Sequence, residues 1–366
     1  MAKAATKRRA TANGAVTAKR KPVDRKTAKG KTDQTGPRKA GKGPLYLTEE
    51  DVRRLVTVKD AIATLELLFE SWPEPGTVNL PRQRAAVGGG SFNLMGAAWG
   101  AAEIFGLKAY YGAPGGRFHV LLYSSRDGSL KAMIEADHLG RIRTGAASGL
   151  ATKVLANPDA RILGVIGAGR QAFTQVAAVC AVRKINTVRV FTRTPEHREA
   201  FAKDIERKLH IAAAPAPSAE AAVSDADVVV TITKSAEPVL RANWLKSGVH
   251  INAAGANAAA RREIDAETVL RSTVRATDHV AQAQQEAGEY RELVADGRLH
   301  WQAIVALGDI VTEKVPGRCG PADITLFKSL GIALEDIAFA DLIWRRATER
   351  GVGGRMPQGT RRQNAI

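Results

Sequence analysis

Six consecutive residues, Gly167-Ala168-Gly169-Arg170-Gln171-Ala172, have the spacing G-x-G-x-x-A. They follow an apolar run, Arg161 to Ile166, and open a helical stretch that continues to Val182. The first glycine allows a tight turn, and the second lets a backbone approach a ligand closely. The small third residue lets the helix pack near the strand. Free N–H groups at such a helix start suit phosphates. The same spacing also fits a plain strand-to-helix turn. Here strand, helix and a second strand at the right distance agree, and together they point to a bound dinucleotide. The second strand ends Val190-Phe191-Thr192-Arg193-Thr194. NAD sites usually carry Asp or Glu there, accepting from the ribose 2′-hydroxyl. A guanidinium between two hydroxyls instead favours a 2′-phosphate through charge-assisted bonds. NADP(H) is therefore expected ahead of NAD(H), with an ordinary surface arginine as the plainer reading of Arg193.

The elements that must position this turn alternate. Beyond residue 160, short β-rich runs (187–191, 228–233, 249–253 and 273–276) are separated by helical stretches. That order predicts an α/β domain, a doubly wound parallel sheet covered on both faces. Before it, Thr48 with Asp51 three residues on signals a helix start, followed by one amphipathic segment from Val52 to Phe69. Residues 72–98 read as turn-rich strands, broken at Pro73, Pro75 and Gly76 and again at Gly88 to Gly90. Two further apolar runs, Phe105 to Tyr111 and Phe118 to Tyr123, precede a hairpin turn at Arg126-Asp127-Gly128. Residues 139–157 then read as a helix ending before Pro158. A last amphipathic helix, Ile332 to Thr348, is surplus to a nucleotide domain and is expected to pack back on the N-terminal half.

Composition bounds the rest. At 366 residues, 45% hydrophobic and 25% charged, the chain reads as an ordinary globular protein of about two domains. No run of about 18 apolar residues and no secretory core is seen, so a cytoplasmic protein is expected. The two cysteines, Cys180 and Cys319, make no disulfide framework, and no Cys or His stands at metal-ligand spacing. The net charge of +17 is concentrated: residues 1–43 hold fourteen Lys or Arg against two Asp. Without aromatic residues, Leu or Ile, that tail cannot bury enough surface to fold alone and is expected to be disordered. Two readings stay open for it, a weak polyanion contact through counterion release and a solvated extension.

These pieces, with others, resemble the ornithine cyclodeaminase and mu-crystallin family over residues 45–354. Beside Gly167 to Ala172, the resemblance rests on Arg143-Thr144-Gly145-Ala146-Ala147 and on the segment Val249 to Ala256. It rests further on Gly317-Arg318, the segment Ile324 to Gly331, and Glu335-Asp336. It implies a Rossmann domain, 140–323, inserted into a discontinuous α+β substrate-binding and dimerisation domain, 44–139 plus 324–354, with 355–366 flexible. It implies a homodimer and a small amino or imino acid as substrate. Three cations hold the substrate carboxylate in such proteins, and the matching positions are Arg82, Lys108 and Arg143, with Arg84 competing for the place of Arg82. Lys108 is also placed with the catalytic residues. Thr144 is expected to donate to a cofactor phosphate, and Thr231 and Thr233 to border the nucleotide beside Gly167, Ala168, Gly169, Arg170 and Gln171. No role is assigned to His119, His138, His250 or Lys328.

One position departs from the cyclodeaminase pattern. Where those enzymes carry a catalytic aspartate, this chain has Asn257. An amide has no oxygen that titrates near neutrality, so it cannot shuttle the proton that cyclodeamination needs. Reduction of a protonated cyclic imine demands less, and members resembling mu-crystallin also lack the aspartate. The reading favoured is an NADP(H)-dependent reductase of pyrroline-2-carboxylate or piperideine-2-carboxylate, with Asn257 bonding the ring nitrogen or a water. Ornithine cyclodeaminase with NAD, an amino-acid dehydrogenase and a non-catalytic NADPH-binding protein are the alternatives.

Overall fold

The computed structural model of the chain describes residues 43–357. The expectations for the basic tail, and for the end beyond residue 357, lie outside those residues. Among the described residues, fifteen strands form two sheets and eleven α-helices pack against them. In chain order the first half comprises β1 (Leu45–Leu47), α1 (Glu49–Leu55), α2 (Val58–Ser71), β2 (Val78–Val87), β3 (Gly90–Trp99), β4 (Ile104–Tyr111), β5 (Phe118–Ser124), β6 (Leu130–Glu135) and α3 (Asp137–Leu155). Next come β7 (Ile162–Ile166), α4 (Ala172–Val182), β8 (Thr187–Phe191), α5 (Pro195–Leu209), β9 (Ala212–Pro215), α6 (Ala219–Val223), β10 (Val228–Thr231), β11 (His250–Ala253), α7 (Ala266–Arg271) and β12 (Val274–Thr277). The chain finishes with α8 (Val280–Glu286), α9 (Gly288–Ala295), β13 (Val305–Ala306), α10 (Leu307–Val311), β14 (Thr325–Lys328), α11 (Ala333–Arg350) and β15 (Gly354–Arg355). None of the described helices is long and apolar enough to cross a membrane.

The second sheet is wholly parallel, in the order β13-β12-β14-β11-β10-β7-β8-β9. Its central strands are buried on both faces, which is why they read as unbroken apolar runs such as Val228–Thr231. The order reverses between β7 and β10, so a crevice opens at their carboxyl ends, where such sheets take ligands. Strand β14 sits between β11 and β12 in this sheet. The boundary expected at residue 323 therefore excludes one strand of the nucleotide fold. Its pairing partners lie 75 and 51 residues upstream, distances at which periodicity carries no signal.

The first sheet runs β15-β1-β6-β5-β4-β3-β2 and is antiparallel except for the β1–β6 pair. Its inner face packs on α2, α3 and α11 in one apolar core that includes Leu65, Phe69, Val120, Ile134, Ile337 and Phe339. Helix α11 does pack back on the N-terminal half, as its surplus apolar stripe predicts. Residues 354 and 355 pair with β1, and the Met356 N–H donates to the Pro44 carbonyl at 2.8 Å, so order extends past the expected end at 354. The single segment expected from Val52 to Phe69 is two helices. Thr57 and Asp60 form a second capping box, with Oγ1 to Oδ2 at 2.8 Å, and the chain is extended at Val56.

Helix α3 joins the two halves. Gly145 has no room for a Cβ against the Thr174 carbonyl, and a Cβ at Gly149 would meet that of Ala178 at 3.0 Å. Helices α3 and α4 therefore pack backbone to backbone, which brings the N-terminal half of α3 beside the glycine turn.

Candidate functional site

Arg82 owes its direction to a bulge. Leu80 pairs with Gly96 and Gln83 with Leu94, so Pro81 and Arg82 together face Met95. A proline has no N–H for a ladder and suits a bulge on an edge strand, which β2 is. The bulge turns Arg82 inward, where its Nη1 meets Glu286 at 3.0 and 3.1 Å and its Nη2 the carbonyls of Leu330 and Gly331 at 3.0 and 2.7 Å. Its Nε lies 3.4 Å from Met95 Sδ. Lys108 comes from the next strand but one. Its Nζ donates to Asp336 Oδ1 at 2.9 Å, and Arg143 Nε on α3 donates to the same oxygen at 2.9 Å. Arg143 Nη1 also reaches Glu335 at 3.0 Å. The three expected cations are thus buried and brought to one place. All five donors of Arg82 are engaged, whereas Lys108 and Arg143 keep donors unused. Arg84 is the more exposed arginine; its Nη2 donates to the Asn257 carbonyl at 2.7 Å and lies 3.2 Å from Glu286.

Burial and pairing set the charges here. Burial pushes Lys108 down to about 8, against the pull of Asp336 and with Arg143 and Arg82 adding to the fall. Burial also pushes the Glu335 carboxyl up to about 8 despite Arg143. For Asp336 burial works upward, but Arg143 and Lys108 outweigh it and hold the carboxyl below its ordinary range. With Glu335 drawn toward its neutral form, the four basic side chains Arg82, Arg84, Lys108 and Arg143 outnumber the carboxyl groups of Glu286 and Asp336 that they pair with. The surplus is positive. In the sequence, Glu335 and Asp336 stand out only as part of the resemblance, without a role, and Glu286 does not stand out; separations of some 190 to 230 residues hide the pairings. Acids embedded in the apolar start of α11 were the available signal.

Beside the same N-terminal half of α3 stands the glycine turn, whose Arg170 pairs with Asp137. Gly167 has φ +114°, and a Cβ there would lie 2.5 Å from the Ile232 carbonyl, so only glycine fits. A Cβ at Gly169 would meet nothing within 4 Å, which leaves an open approach to that backbone. Helix α4 follows with no side-chain cap; its Ala172 N–H donates to the Gly169 carbonyl at 3.0 Å, and the N–H groups of Phe173 and Thr174 after it, unbonded among the described residues, suit an anion. Ala168 is half-buried, while Gly169, Arg170 and Gln171 are exposed. At the end of β8, Thr192 is half-buried, and Arg193 and Thr194 are exposed. Arg193 has no bonded partner among the described residues. These features fit a dinucleotide.

Of the three threonines expected at the nucleotide, two are bonded within the chain and one is enclosed. Thr144 donates its hydroxyl to the Gly140 carbonyl at 2.7 Å, the usual back-bond of a helical threonine, so the donor expected for a phosphate is engaged. Thr233 donates to Glu263 at 2.8 Å. Thr231 is fully buried, its hydroxyl unpartnered among the described residues, because its strand is covered on both faces.

Asn257 lies on the loop after β11, half-buried, with its side-chain amide unbonded among the described residues. The loop is braced from below. Glu263 accepts from the N–H groups of Gly255, Ala256 and Thr233 at 2.6, 3.1 and 2.6 Å. Lys328 donates to the Ala256 carbonyl at 2.6 Å and to Glu289 at 3.0 Å, which gives that lysine a structural task. The histidines fall outside the chemistry. His250 is pushed down to about 3 by burial and sits between Thr325 and Asn252. His138, held near 4 by burial and Arg141, lies in the first turn of α3. His119 alternates with Val120 and so faces away from Lys108. A cleft of 550 Å³ lined by Asn157, Asp227 and Arg318 lies at the amino ends of β7 and β10, far from the glycine turn.

A sequence model of the ornithine cyclodeaminase/mu-crystallin family matches residues 43–351. The chain is 32% identical over 329 residues to a Delta(1)-pyrroline-2-carboxylate reductase of Bacillus cereus, covering 85% of this chain and 99% of that protein. It is 34% identical over 231 residues to the ketimine reductase mu-crystallin of Mus musculus, covering 63% of this chain and 70% of that one. The solved Delta(1)-pyrroline-2-carboxylate reductase of Thermococcus litoralis, in complex with NADH and L-proline, superposes with a TM-score of 0.82 at 32% identity over 85% of this chain and all of its own. With the matched segment spanning both sheets, this chain belongs to the ornithine cyclodeaminase/mu-crystallin family.

Proposed function

We propose that the chain is an NADP(H)-dependent reductase of small cyclic ketimines, turning pyrroline-2-carboxylate or piperideine-2-carboxylate into the cyclic amino acid. The observation that carries this reading is the surplus of buried positive charge at Arg82, Lys108 and Arg143, with unused donors on the last two. A single carboxylate neutralises part of it and can be gripped from two sides. Lys108 and Arg143 bind that carboxylate, Arg82 adds charge, and the ring is oriented toward the crevice. Gly167 to Gln171 would hold a reduced nicotinamide dinucleotide, which when bound would supply the hydride that the imine carbon takes. The imine enters protonated, so the chain need only hold its nitrogen, a task for the free amide of Asn257. Cyclodeamination fits less well. Glu286 and Asp336 already bond cations, and Asn257 cannot take a proton.

The preference for NADP(H) rests on Arg193, an exposed and unbonded cation between Thr192 and Thr194. The solved relative from Thermococcus litoralis holds NADH, so the 2′-phosphate preference is this chain's own reading. Loss of NADPH absorbance with each cyclic imine is the deciding assay. Turnover of neither imine, with ammonia released from ornithine, would replace the reductase with a cyclodeaminase. Arg193→Ser should lower the NADPH-to-NADH preference about tenfold, the scale of one charge-assisted contact; an unchanged ratio removes Arg193 as selector.

We infer further that two copies associate through the outer face of the first sheet. Two rows of directly opposed residues there are apolar: Leu80, Gly96, Leu107, Leu121 and Met133 form one, and Ala98, Phe105 and Tyr123 its neighbour, while the next row mixes Leu94 and Ala109 with Gln83, His119 and Glu135. An antiparallel sheet facing water normally alternates to polar residues on that side.

A further inference from the structure

Helix α3 carries glycines at 140, 145 and 149. An interior helical glycine is less favourable than alanine, because it loses more backbone freedom on ordering. Gly145 and Gly149 are explained by the close packing of α4. Gly140 faces no helix. A Cβ built on it would lie 3.0 Å from Nζ of Lys108 and 4.0 Å from its Cε, with nothing else within 4 Å. The lysine has little freedom to retreat. Asp336 Oδ1 holds Nζ at 2.9 Å, and Arg143 holds Asp336 in turn. The rings of Tyr110 and Phe118 each stand 5.7 Å from Nζ. Besides Asp336 and Arg143, the charged groups around it are Arg82 from β2 and Glu335, which meets Arg143 from α11.

We propose that Gly140 is a positioning residue for Lys108: its missing side chain makes the space in which the ammonium stands between Asp336 and the substrate carboxylate. The inference rests on the reading of Lys108 as a carboxylate ligand. A methyl group at 140 moves Nζ by a few tenths of an ångström and loosens its bond to Asp336. Asp336 supports the charged form, so the loosened lysine loses its proton more readily, and one donor to the substrate is misplaced.

The test is Gly140→Ala in the full chain. Alanine favours the helix, so the melting temperature stays level or rises. Acetic anhydride labelling from roughly pH 6 to 11, read by peptide mass spectrometry, follows the titration of Lys108 without any substrate. Its midpoint should fall below that of the unsubstituted chain. The KM for pyrroline-2-carboxylate should rise about tenfold, the size of one weakened charge-assisted bond, with NADPH affinity unchanged. Coincident Lys108 titrations overturn the proposal. So does a joint loss of thermal stability and NADPH affinity, which marks Gly140 as a packing glycine like Gly145. If the unsubstituted chain reduces no cyclic imine, the reductase reading falls, and the labelling titration still decides the role of Gly140.

Discussion

Lys108 and Glu335 have each been moved to about 8 by burial, and their effects differ in kind. A carboxylate needs Lys108 protonated, so substrate affinity should be full below about pH 8 and fall as pH rises through it. Pyrrole-2-carboxylate, which has no imine to titrate, isolates this limb. Its inhibition constant should rise about tenfold per unit well above pH 8, and a constant flat from pH 6 to 10 would sink the role of Lys108. Glu335 acts on stability instead. Its folded-state affinity for a proton is raised, so the folded chain keeps a proton that the unfolded chain releases in the ordinary carboxyl range. Folding therefore loses support from that range up to about pH 8. Glu335→Gln is neutral throughout and should flatten the dependence of melting temperature on pH between about 5 and 8; an unchanged slope refutes the assignment. The cations of this site entered the sequence reading only through family resemblance, since a lone arginine reads as an exposed charge. The pairing of those cations with Glu286, Glu335 and Asp336 was out of reach, because pairing across some 200 residues leaves no local pattern.

Elements were more legible where a local rule decides them. The glycine turn, the strand before it and the helix after it follow from steric requirements of a few residues, and Gly167 meets its requirement through a positive φ. The turn at Gly128, also at positive φ, was readable for the same reason. The break between α1 and α2 was written in Thr57 and Asp60 but masked by continuous apolar periodicity across it. Strand β14 was assigned to the other domain, and its terminal Lys328 was left without a task. The fold explains that lysine: β14 fills the place between β11 and β12, and its last side chain reaches under the Asn257 loop. Both Lys328 and Glu289 are fully shielded, so removing one charge strands the other. Lys328→Met should destabilise the chain by about 3–5 kcal/mol in chemical denaturation. Lys328→Met with Glu289→Gln should recover part of that loss. Equal stability of the single and double variants would show that the pair does not brace the loop.

At the scale of the whole molecule, the outer face of the first sheet remains to be accounted for. Leu80 is 57% exposed and Phe105 38%, with the half-buried Leu107, Leu121 and Met133 between and beside them. A contiguous apolar surface of this kind is rare on a monomer. A second copy is the occupant that matches it most simply, because a row running across several strands is complementary to itself about a two-fold axis. A stable interface needs roughly 1,000 Å² or more, which the exposed width of several strands can supply. Light scattering should therefore give twice the chain mass of 39.0 kDa. Leu107→Asp with Leu121→Asp places four carboxylates in a two-fold interface and should halve that mass. The paired variant should keep its NADPH affinity, since Lys108 alternates with Leu107 and points to the opposite face, toward the core and the crevice. A chain that is monomeric without substitution, or a charged variant that stays dimeric, assigns this face to something other than self-association.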